Sequence, residues 1–226
     1  IARRPDIVVH SNSFIEGPFD GTSPAAQAVD RAAAAGILWF NSAGNYAQLH
    51  WSGAWSDADA DADLDWPSGD TWTFARAAGQ PITFALSWRS PANDPPTDLD
   101  LSLERLEADG TSTPVVLSSD RQSAGAPPTE RIIGYLPPAD ALFRLRVVRV
   151  SGPPPIGPLT LFSREIPLSS IGGTATGSVP TPGDAVGAIA VGATRTAALE
   201  SVLTPELERQ MVESTPLGRI GEPADV

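Results

Sequence analysis

The sequence lacks both cysteine and lysine: none of its 226 residues is a cysteine, and all 15 of its basic residues are arginine. Without cysteine the chain can form no disulfide, no thiolate metal site and no thiol nucleophile. Without lysine it cannot form a Schiff base, use serine–lysine catalysis or bind phosphate through a P-loop lysine. These absences exclude several classes of enzyme before any motif is considered.

Positive charge and long apolar runs are also scarce. Arginine is outnumbered by 27 aspartate and glutamate residues, and the net charge of -12 makes binding to a phosphate backbone unfavourable. No apolar run approaches the roughly 18 residues of a membrane-spanning helix. We therefore expect neither nucleic acid nor a membrane as a partner, while the hydrophobic fraction of 41% predicts a folded core.

The first part of the chain has the pattern of a βαβ unit. Short apolar runs at 6–10 and 37–40 predict two strands, and apolar residues at near-helical spacing predict a helix over 23–35. In open α/β sheets, function collects at the carboxyl ends of the strands. Those ends are residues 10–14 and 41–45, which makes them candidates for a site.

Three short segments resemble the subtilisin-like serine proteases, in the order that the family has them. Residues 6–14 resemble a strand that pairs with the substrate backbone, and the Ser-Ala-Gly-Asn turn at 42–45 resembles the oxyanion-hole motif. Residues 177–194 resemble the loop and core strand that follow. The resemblance implies an α/β fold with a partial parallel sheet of subtilisin-like type, interrupted by an inserted all-β sandwich.

The resemblance also implies a function. By this resemblance the chain would belong to a secreted hydrolase that cleaves peptides or proteins and requires no cofactor. Asn45 would then donate its side-chain amide to the oxyanion. The loop before the family's core strand contains a cis X-Pro bond, so a cis Thr181–Pro182 bond is expected. The residues implied to contact substrate are Ser11, Asn12, Ser13, Ala43 and Gly44.

A complete catalytic triad is missing from the sequence. Ser23 lies in a Gly-Thr-Ser tripeptide like that of the family's nucleophile, but it precedes Asn45 and is better explained as a helix cap. His10 and His50 match no catalytic motif and are interpreted as structural. The family's Asp and His would precede this stretch and its Ser would follow it, so we expect a fragment that is inactive alone.

Aspartates alternate along residues 57–65, in the sequence Asp-Ala-Asp-Ala-Asp-Ala-Asp-Leu-Asp. Carboxylates at this spacing can converge on Ca²⁺, which takes six to eight oxygen ligands. The loop is not a strict EF-hand, since Ala62 and Ser68 stand where that motif has glycine and glutamate. The alternative is a solvated acidic connector. The candidate ligands of a structural Ca²⁺ are Asp57, Asp59, Asp61 and Asp63.

Seven short strands separated by turn residues predict a β-sandwich. The pattern, which includes Asp-Leu-Asp-Leu at 98–101, is similar to the jelly-roll modules of secreted subtilases. The strands are expected at 71–75, 81–88, 98–103, 114–118, 130–135, 142–150 and 159–162. The residues expected to point inward are Trp88, Leu99, Leu101, Leu103, Ile132, Leu145 and Val147.

The last residues, 199–226, have a different character. A helix is predicted at 203–212 with Thr204 as its cap, and residues 215–226 resemble the late segment of short-chain dehydrogenases. No glycine-rich dinucleotide fingerprint accompanies that segment. We predict three parts, which are an α/β domain of 1–48 and 170–197, an insertion of 49–169, and a helical tail of 198–226.

Three functions are therefore considered. The first is a fragment of a subtilisin-like serine endopeptidase that contributes the oxyanion-hole strand. The alternative is a non-enzymatic sandwich that binds calcium or a glycan, with exposed tryptophans between residues 51 and 72 stacking on sugar rings. The third is a fragment of a short-chain dehydrogenase, ranked last because the sequence contains no visible cofactor site.

Overall fold

The computed structural model describes residues 5–89, 96–122, 128–192, 203–214 and 219–220. Within these ranges neither helix has the length and apolar surface needed to cross a bilayer. The elements in chain order are β1 (Ile7–His10), α1 (Pro24–Ala34), β2 (Leu38–Ser42), β3 (His50–Gly53), β4 (Trp72–Arg76), β5 (Ile82–Ser87), β6 (Asp98–Leu106), β7 (Ser112–Ser118), β8 (Thr129–Tyr135), β9 (Ala141–Ser151), β10 (Leu159–Ser163), β11 (Ala188–Val191) and α2 (Pro205–Ser214).

The chain divides into two compact units, one formed by residues 1–50 with 174–226 and the other by residues 51–173. The second unit occupies nearly the stretch in which the sequence predicts an insertion, 49–169.

The first unit contains a parallel sheet of three strands in the order β1-β2-β11. Helix α1 connects β1 to β2, and Ser23 caps it by accepting a hydrogen bond from the backbone N–H of Ala26 at 3.0 Å. Ala26 and Val29 of this helix form a small apolar cluster with Ala185, and Trp39 of β2 packs against it. One face of the sheet is thus covered by α1.

Two finer predictions for the first unit are confirmed. The Thr181–Pro182 peptide bond is cis. Helix α2 begins at Pro205, and Thr204 Oγ1 accepts a hydrogen bond from Leu207 N at 3.1 Å, as expected of a cap. The segment that resembles short-chain dehydrogenases, 215–226, lies outside the described residues except for 219–220.

The second unit is a β-sandwich of two antiparallel sheets, with strand orders β3-β10-β5-β8 and β4-β9-β6-β7. The seven predicted strands are all present, as β4 to β10. Strand β3 was not predicted. None of the sandwich strands shares a sheet with β2, which agrees with the prediction of a separate all-β module.

The core of the sandwich follows from period-2 alternation along its strands. In β6, Leu99, Leu101 and Leu103 are completely buried, and they lie beside Val147 and Leu145 of β9 in the antiparallel register. All seven residues predicted to point inward are buried. The apolar faces of the two sheets therefore pack on each other, as in other sandwiches.

The predicted α/β class is correct only in part. Strands hold 38% of the residues and helices 12%, so the chain is mostly β. Eight of the eleven described strands belong to the antiparallel sheets, because the sandwich contributes most of the described residues. The small parallel sheet with its single covering helix is not a clear α/β fold of the subtilisin type.

Candidate metal centre

The aspartate loop, defined here as residues 57–65, is attached to the edge of a sandwich sheet. β4 pairs with β9 only as far as Leu145. Beyond that residue, the aspartate loop takes the place of β4 beside β9. Leu64 N donates to Val147 O at 2.9 Å, and Arg149 N donates to Ala62 O at 2.8 Å. These ladder bonds fix the second half of the loop to a buried strand.

The first half of the loop turns sharply because two alanines adopt the left-handed conformation. Ala60 has a φ of 65° and Ala62 a φ of 70°, a region that L-residues rarely occupy. Ala62 N donates to Asp57 Oδ1 at 3.3 Å, and Asp63 N donates to Asp61 Oδ1 at 2.8 Å. In an EF-hand loop that starts at Asp57, Ala62 would be the sixth residue, where glycine makes the same turn.

This turn brings carboxylates together in two overlapping groups. Asp57, Asp59 and Asp61 each offer one oxygen, and the three oxygens lie within 4.8 Å of one another. Asp59, Asp65 and Asp70 form a second group by the same measure. Asp59 belongs to both groups and is exposed, as is Asp70.

Asp65 and Asp70 were not among the predicted ligands. Asp65 extends the alternation of the loop by one step, so the pattern itself contained that signal. Asp70 is brought back by a turn in which Trp66 and Gly69 exchange backbone hydrogen bonds of 2.8 and 3.0 Å. Gly69 has a φ of 132°, which requires glycine, and the Pro67-Ser68-Gly69 sequence was the signal for that turn.

The fourth predicted ligand, Asp63, lies outside both groups and faces the sheet instead. Its Oδ2 accepts from Arg146 Nε at 2.5 Å, and the same guanidinium donates to Glu104 Oε1 at 3.2 Å. Burial raises the pKa of Asp63, and the hydrogen bond from Arg146 only partly opposes that effect. Among the described residues, Oδ1 of Asp63 is buried and has no hydrogen-bond partner.

Arginine neutralises the loop only in part. Arg146 pairs with Asp63, and Arg149 Nη2 lies 3.9 Å from Asp57 Oδ2 while its guanidinium sits over the ring of Trp55 at 6.0 Å. Over the part of the chain that the structure describes, no arginine forms an ion pair with the other aspartates of the two groups, Asp59, Asp61, Asp65 and Asp70. The loop therefore holds a concentration of uncompensated negative charge.

Three of the four tryptophans expected to stack on a glycan are not at the surface. Trp51, Trp66 and Trp72 are between 2% and 3% exposed, and their rings pack edge to face in one row with centroids 5.2 and 5.7 Å apart. Their large apolar area is used in the core of the sandwich, where Trp72 Nε1 donates to Ser170 Oγ at 3.0 Å. The prediction of exposed sugar-stacking tryptophans is therefore wrong for these three, and the fourth, Trp55, is half-buried beneath the guanidinium of Arg149.

The predicted substrate-contact residues lie beyond the carboxyl ends of β1 and β2. Asn45 is exposed, and Gly44 before it has a φ of 75°, with the Tyr46 ring 2.8 Å from where a Cβ would stand. Ser42 Oγ accepts from Gly44 N at 3.1 Å, and Ala43 is buried. The remaining three are Ser11 and Asn12, which are exposed, and Ser13, which is half-buried. A strand-ending turn accounts for this local sequence without a catalytic role.

The residues considered for a triad have structural contacts. Ser23 Oγ accepts from Ala26 N and shares a 2.7 Å hydrogen bond with Thr181 Oγ1. Asn41 Oδ1 accepts from His10 Nδ1 at 2.8 Å, and Thr174 O accepts from His50 Nδ1 at 2.8 Å. Burial lowers the pKa of His50, so its ring is neutral near pH 7. These contacts agree with the interpretation of Ser23 as a cap and of both histidines as structural.

The comparisons with known proteins reveal only limited similarity. No family model matches the chain. The 7alpha-hydroxysteroid dehydrogenases of Escherichia coli K12 and O157:H7 are each 51% identical to it over 41 residues, which is 18% of this chain and 16% of theirs. The chain thus matches less than a fifth of the length of these curated relatives, and no dehydrogenase activity is assigned to it.

Solved structures resemble the chain weakly. The Yersinia pseudotuberculosis-derived mitogen matches 50% of this chain over 81% of its own length, at 9% identity and a TM-score of 0.29. The VP2 subviral particle of infectious bursal disease virus matches 60% of this chain over 34% of its own length, at 13% identity and a TM-score of 0.28. The SPBc2 prophage-derived protein YomS matches 51% of this chain over 93% of its own length, at 13% identity and a TM-score of 0.26. Scores this low support no functional argument.

These findings overturn the resemblance to subtilisin-like proteases. Neither the curated matches nor the solved structures named here are proteases of that type. The prediction of a subtilase, and with it of a hydrolase or peptidase, is wrong, and the roles of Asn45 and of the substrate-contact residues lose their basis. What the comparisons support is a short similarity to a short-chain dehydrogenase, the family that the C-terminal residues resemble in sequence.

Proposed function

We propose that residues 51–173 form a non-enzymatic β-sandwich module that binds Ca²⁺ through the aspartate loop. The observation that carries this proposal is the convergence of Asp57, Asp59 and Asp61 within 4.8 Å around a turn at Ala62. Positions one, three and five of a calcium loop supply side-chain oxygens in this way, while position six turns the chain.

The charge of the loop supports a divalent ligand. Carboxylates held this close repel one another, and a cation between them converts that repulsion into attraction. Ca²⁺ accepts six to eight oxygens in flexible geometry, including bidentate carboxylates and water, whereas Mg²⁺ demands a near-ideal octahedron. The buried Oδ1 of Asp63, which has no partner among the described residues, adds an unsatisfied acceptor to the same loop.

The attachment of the loop to β9 supports a preformed site. Because Ala62 and Leu64 are hydrogen-bonded to the strand, much of the ordering entropy is already lost before a cation arrives. The loop lacks the bidentate glutamate at the twelfth position, where Ser68 stands. We therefore expect an affinity in the range of extracellular modules, about 10⁻⁴ to 10⁻³ M.

The direct test is calorimetric titration of the full chain with CaCl₂, repeated with MgCl₂, together with thermal unfolding with and without Ca²⁺. Asp59→Asn removes a carboxylate common to both groups and should weaken Ca²⁺ binding at least tenfold. At a Ca²⁺ concentration of 100 times Kd, the wild-type sandwich should gain about 2.7 kcal/mol of stability, which a chelator reverses.

The matched control is Asp109→Asn, which neutralises an exposed aspartate in the turn between β6 and β7. This variant should bind Ca²⁺ like the wild type. The proposal is wrong if the wild type shows neither heat of binding nor a thermal shift at 10 times the weakest expected Kd, about 10 mM. It is also wrong if Asp59→Asn and Asp109→Asn bind with the same affinity.

A further inference from the structure

The parallel sheet of the first unit has a second face, and that face is the more apolar of the two. Side chains alternate along each strand, and residues side by side in the register share a face. Ile7 and Val9 of β1 lie beside Leu38 and Phe40 of β2, and Phe40 lies beside Ile189 of β11. We call this surface the bare face: Ile7, Val9, Leu38, Phe40, Ile189 and Val191.

The opposite face is covered and partly polar. Trp39 and Ala188 pack against the apolar cluster of α1, and His10 and Asn41 are hydrogen-bonded to each other at the strand ends. On the bare face, Val9 is 80% exposed, Ile7 56%, Leu38 53% and Ile189 44%. No described element covers these side chains, although parallel sheets are normally buried on both faces.

We propose that the bare face is the docking surface for an amphipathic α-helix of a partner protein. Three strands about 4.8 Å apart, with their side chains, match the 10–12 Å width of one helix. Strands of four residues extend for about 13 Å, the length of roughly nine helical residues. Aliphatic anchors at i, i+3, i+4 and i+7 of such a helix would meet the side chains of the bare face.

The area of the bare face favours a helix over a second copy of the chain. Four side chains that are between 44% and 80% exposed present on the order of 400 Å² of apolar surface, which is within the range of functional patches. A stable dimer needs about 800 Å² from each partner. The bare face alone is therefore too small for self-association and large enough for a helix.

Charge specifies the flanks of the partner helix. The described residues 5–50 and 174–192 contain a single arginine, Arg31, against five carboxylates. This part of the chain is net negative, so a helix with basic residues on either side of its apolar stripe is attracted to it, whereas an acidic helix is repelled. The carboxylates are Asp6, Glu16, Asp20, Asp30 and Asp184.

The test uses a synthetic 14-residue peptide with leucine at i, i+3, i+4 and i+7 and with alanine and lysine elsewhere. Its comparison is an isomer of identical composition in which the leucines are scattered around the helix. Fluorescence anisotropy of the labelled peptides against the full chain should give at least tenfold tighter binding of the striped peptide, weakening as salt is added. Hydrogen exchange should show protection at 7–10 and 38–42.

Substitutions locate the interaction. Val9→Asp and the milder Val9→Ser should each weaken binding of the striped peptide, by at least tenfold for the aspartate. Ile133→Asp is the matched control, because Ile133 is 67% exposed on β8 of the sandwich and lies off the bare face. Circular dichroism of each variant establishes that it is folded, and the serine variant serves if the aspartate variant is not.

Three results would overturn the proposal. One is equal binding of the two peptide isomers, or no binding of either, which would show that the surface does not select a helix. Another is binding that survives Val9→Asp and Val9→Ser unchanged. The last is a concentration-dependent dimer in sedimentation velocity that Val9→Ser dissociates, which would identify a second copy of the chain as the occupant.

Discussion

The buried carboxylate of Glu104 offers the sharpest test of the energetics of the sandwich. Glu104 is 3% exposed on β6 and lies between two arginines of the neighbouring strand β9. Its Oε2 accepts from Arg144 Nε at 3.1 Å and from Ser112 Oγ at 2.6 Å, and its Oε1 accepts from Arg146 Nη1 at 3.2 Å. We consider the substitution Glu104→Gln, which preserves the shape and removes the charge.

The expected cost follows from the partners that remain. A glutamine keeps one oxygen acceptor but turns an N–H donor towards guanidinium donors, so at least one charge-assisted bond is lost, worth about 1.5–3 kcal/mol. Breaking a fully buried ion pair costs about 3–5 kcal/mol. Here the side chains of Arg144 and Arg146 are 25% and 33% exposed and can regain water. We expect a destabilisation of about 2–3 kcal/mol at pH 7.

The pH dependence distinguishes the loss of charge from a packing defect. Burial by itself raises the pKa of Glu104, but the hydrogen bonds from Ser112, Arg144 and Arg146 outweigh it and hold the pKa below its ordinary value of 4.5. A lowered pKa contributes stability that is complete above the ordinary value and is lost as the pH falls through the folded value. The difference between wild type and Glu104→Gln should therefore shrink below pH 4.5.

The measurement is urea unfolding followed by fluorescence of the buried tryptophans, at pH 7 and at pH values below 4.5. The matched control is Glu107→Gln, because Glu107 forms a partly exposed ion pair with Arg105 at the end of the same strand and its loss should cost far less than that of Glu104. If Glu104→Gln is as stable as the wild type at pH 7, or if the difference is the same at both pH values, the electrostatic argument is refuted.

Three further predictions, one of them with a matched control substitution, test other parts of the sandwich by the same urea assay. Leu101→Ala empties a completely buried position and should cost about 2–5 kcal/mol, whereas Leu117→Ala, at a position that is 58% exposed, should cost far less. Burial raises the pKa of Glu130 against the hydrogen bonds from Ser118 and Gln122, so stability should fall as the pH rises through that raised value; Glu130→Gln should remove this fall and be more stable than wild type at pH 7. Ala62→Gly relieves a left-handed alanine and should stabilise the Ca²⁺-free chain by about 1 kcal/mol, and a loss of stability would contradict the strained turn.

The sandwich could be predicted because its strands show the alternation of a sheet that has one buried and one polar face. Leu99, Leu101 and Leu103 alternate with polar residues, and turns rich in glycine and proline separate the strands. Strand β3 was missed because it is four residues long and its Trp51 adjoins the acidic stretch. The tryptophans were misplaced because a sequence shows that they are large and aromatic, but not which face of a strand they occupy.

The family was misjudged because short motifs of small residues have local causes. Ser42 and Gly44 are explained by a turn that needs a positive φ and a hydroxyl acceptor, and such turns follow strands in many folds. The candidate calcium ligands Asp57, Asp59 and Asp61 could be proposed from their spacing alone. Asp70 could not, because its approach to Asp59 depends on the turn at Gly69 rather than on the alternation.

The ladder between the aspartate loop and β9 has a consequence for the way in which the loop moves. A surface loop usually frays within microseconds, independently of the strands beside it. Here the amide hydrogens of Leu64 and Arg149 are donated across the ladder, so neither exchanges with solvent until that edge of the sheet separates. The loop must therefore detach from β9 before either amide exchanges, and slow exchange at both amides would report the free energy of that detachment rather than the flexibility of a free loop.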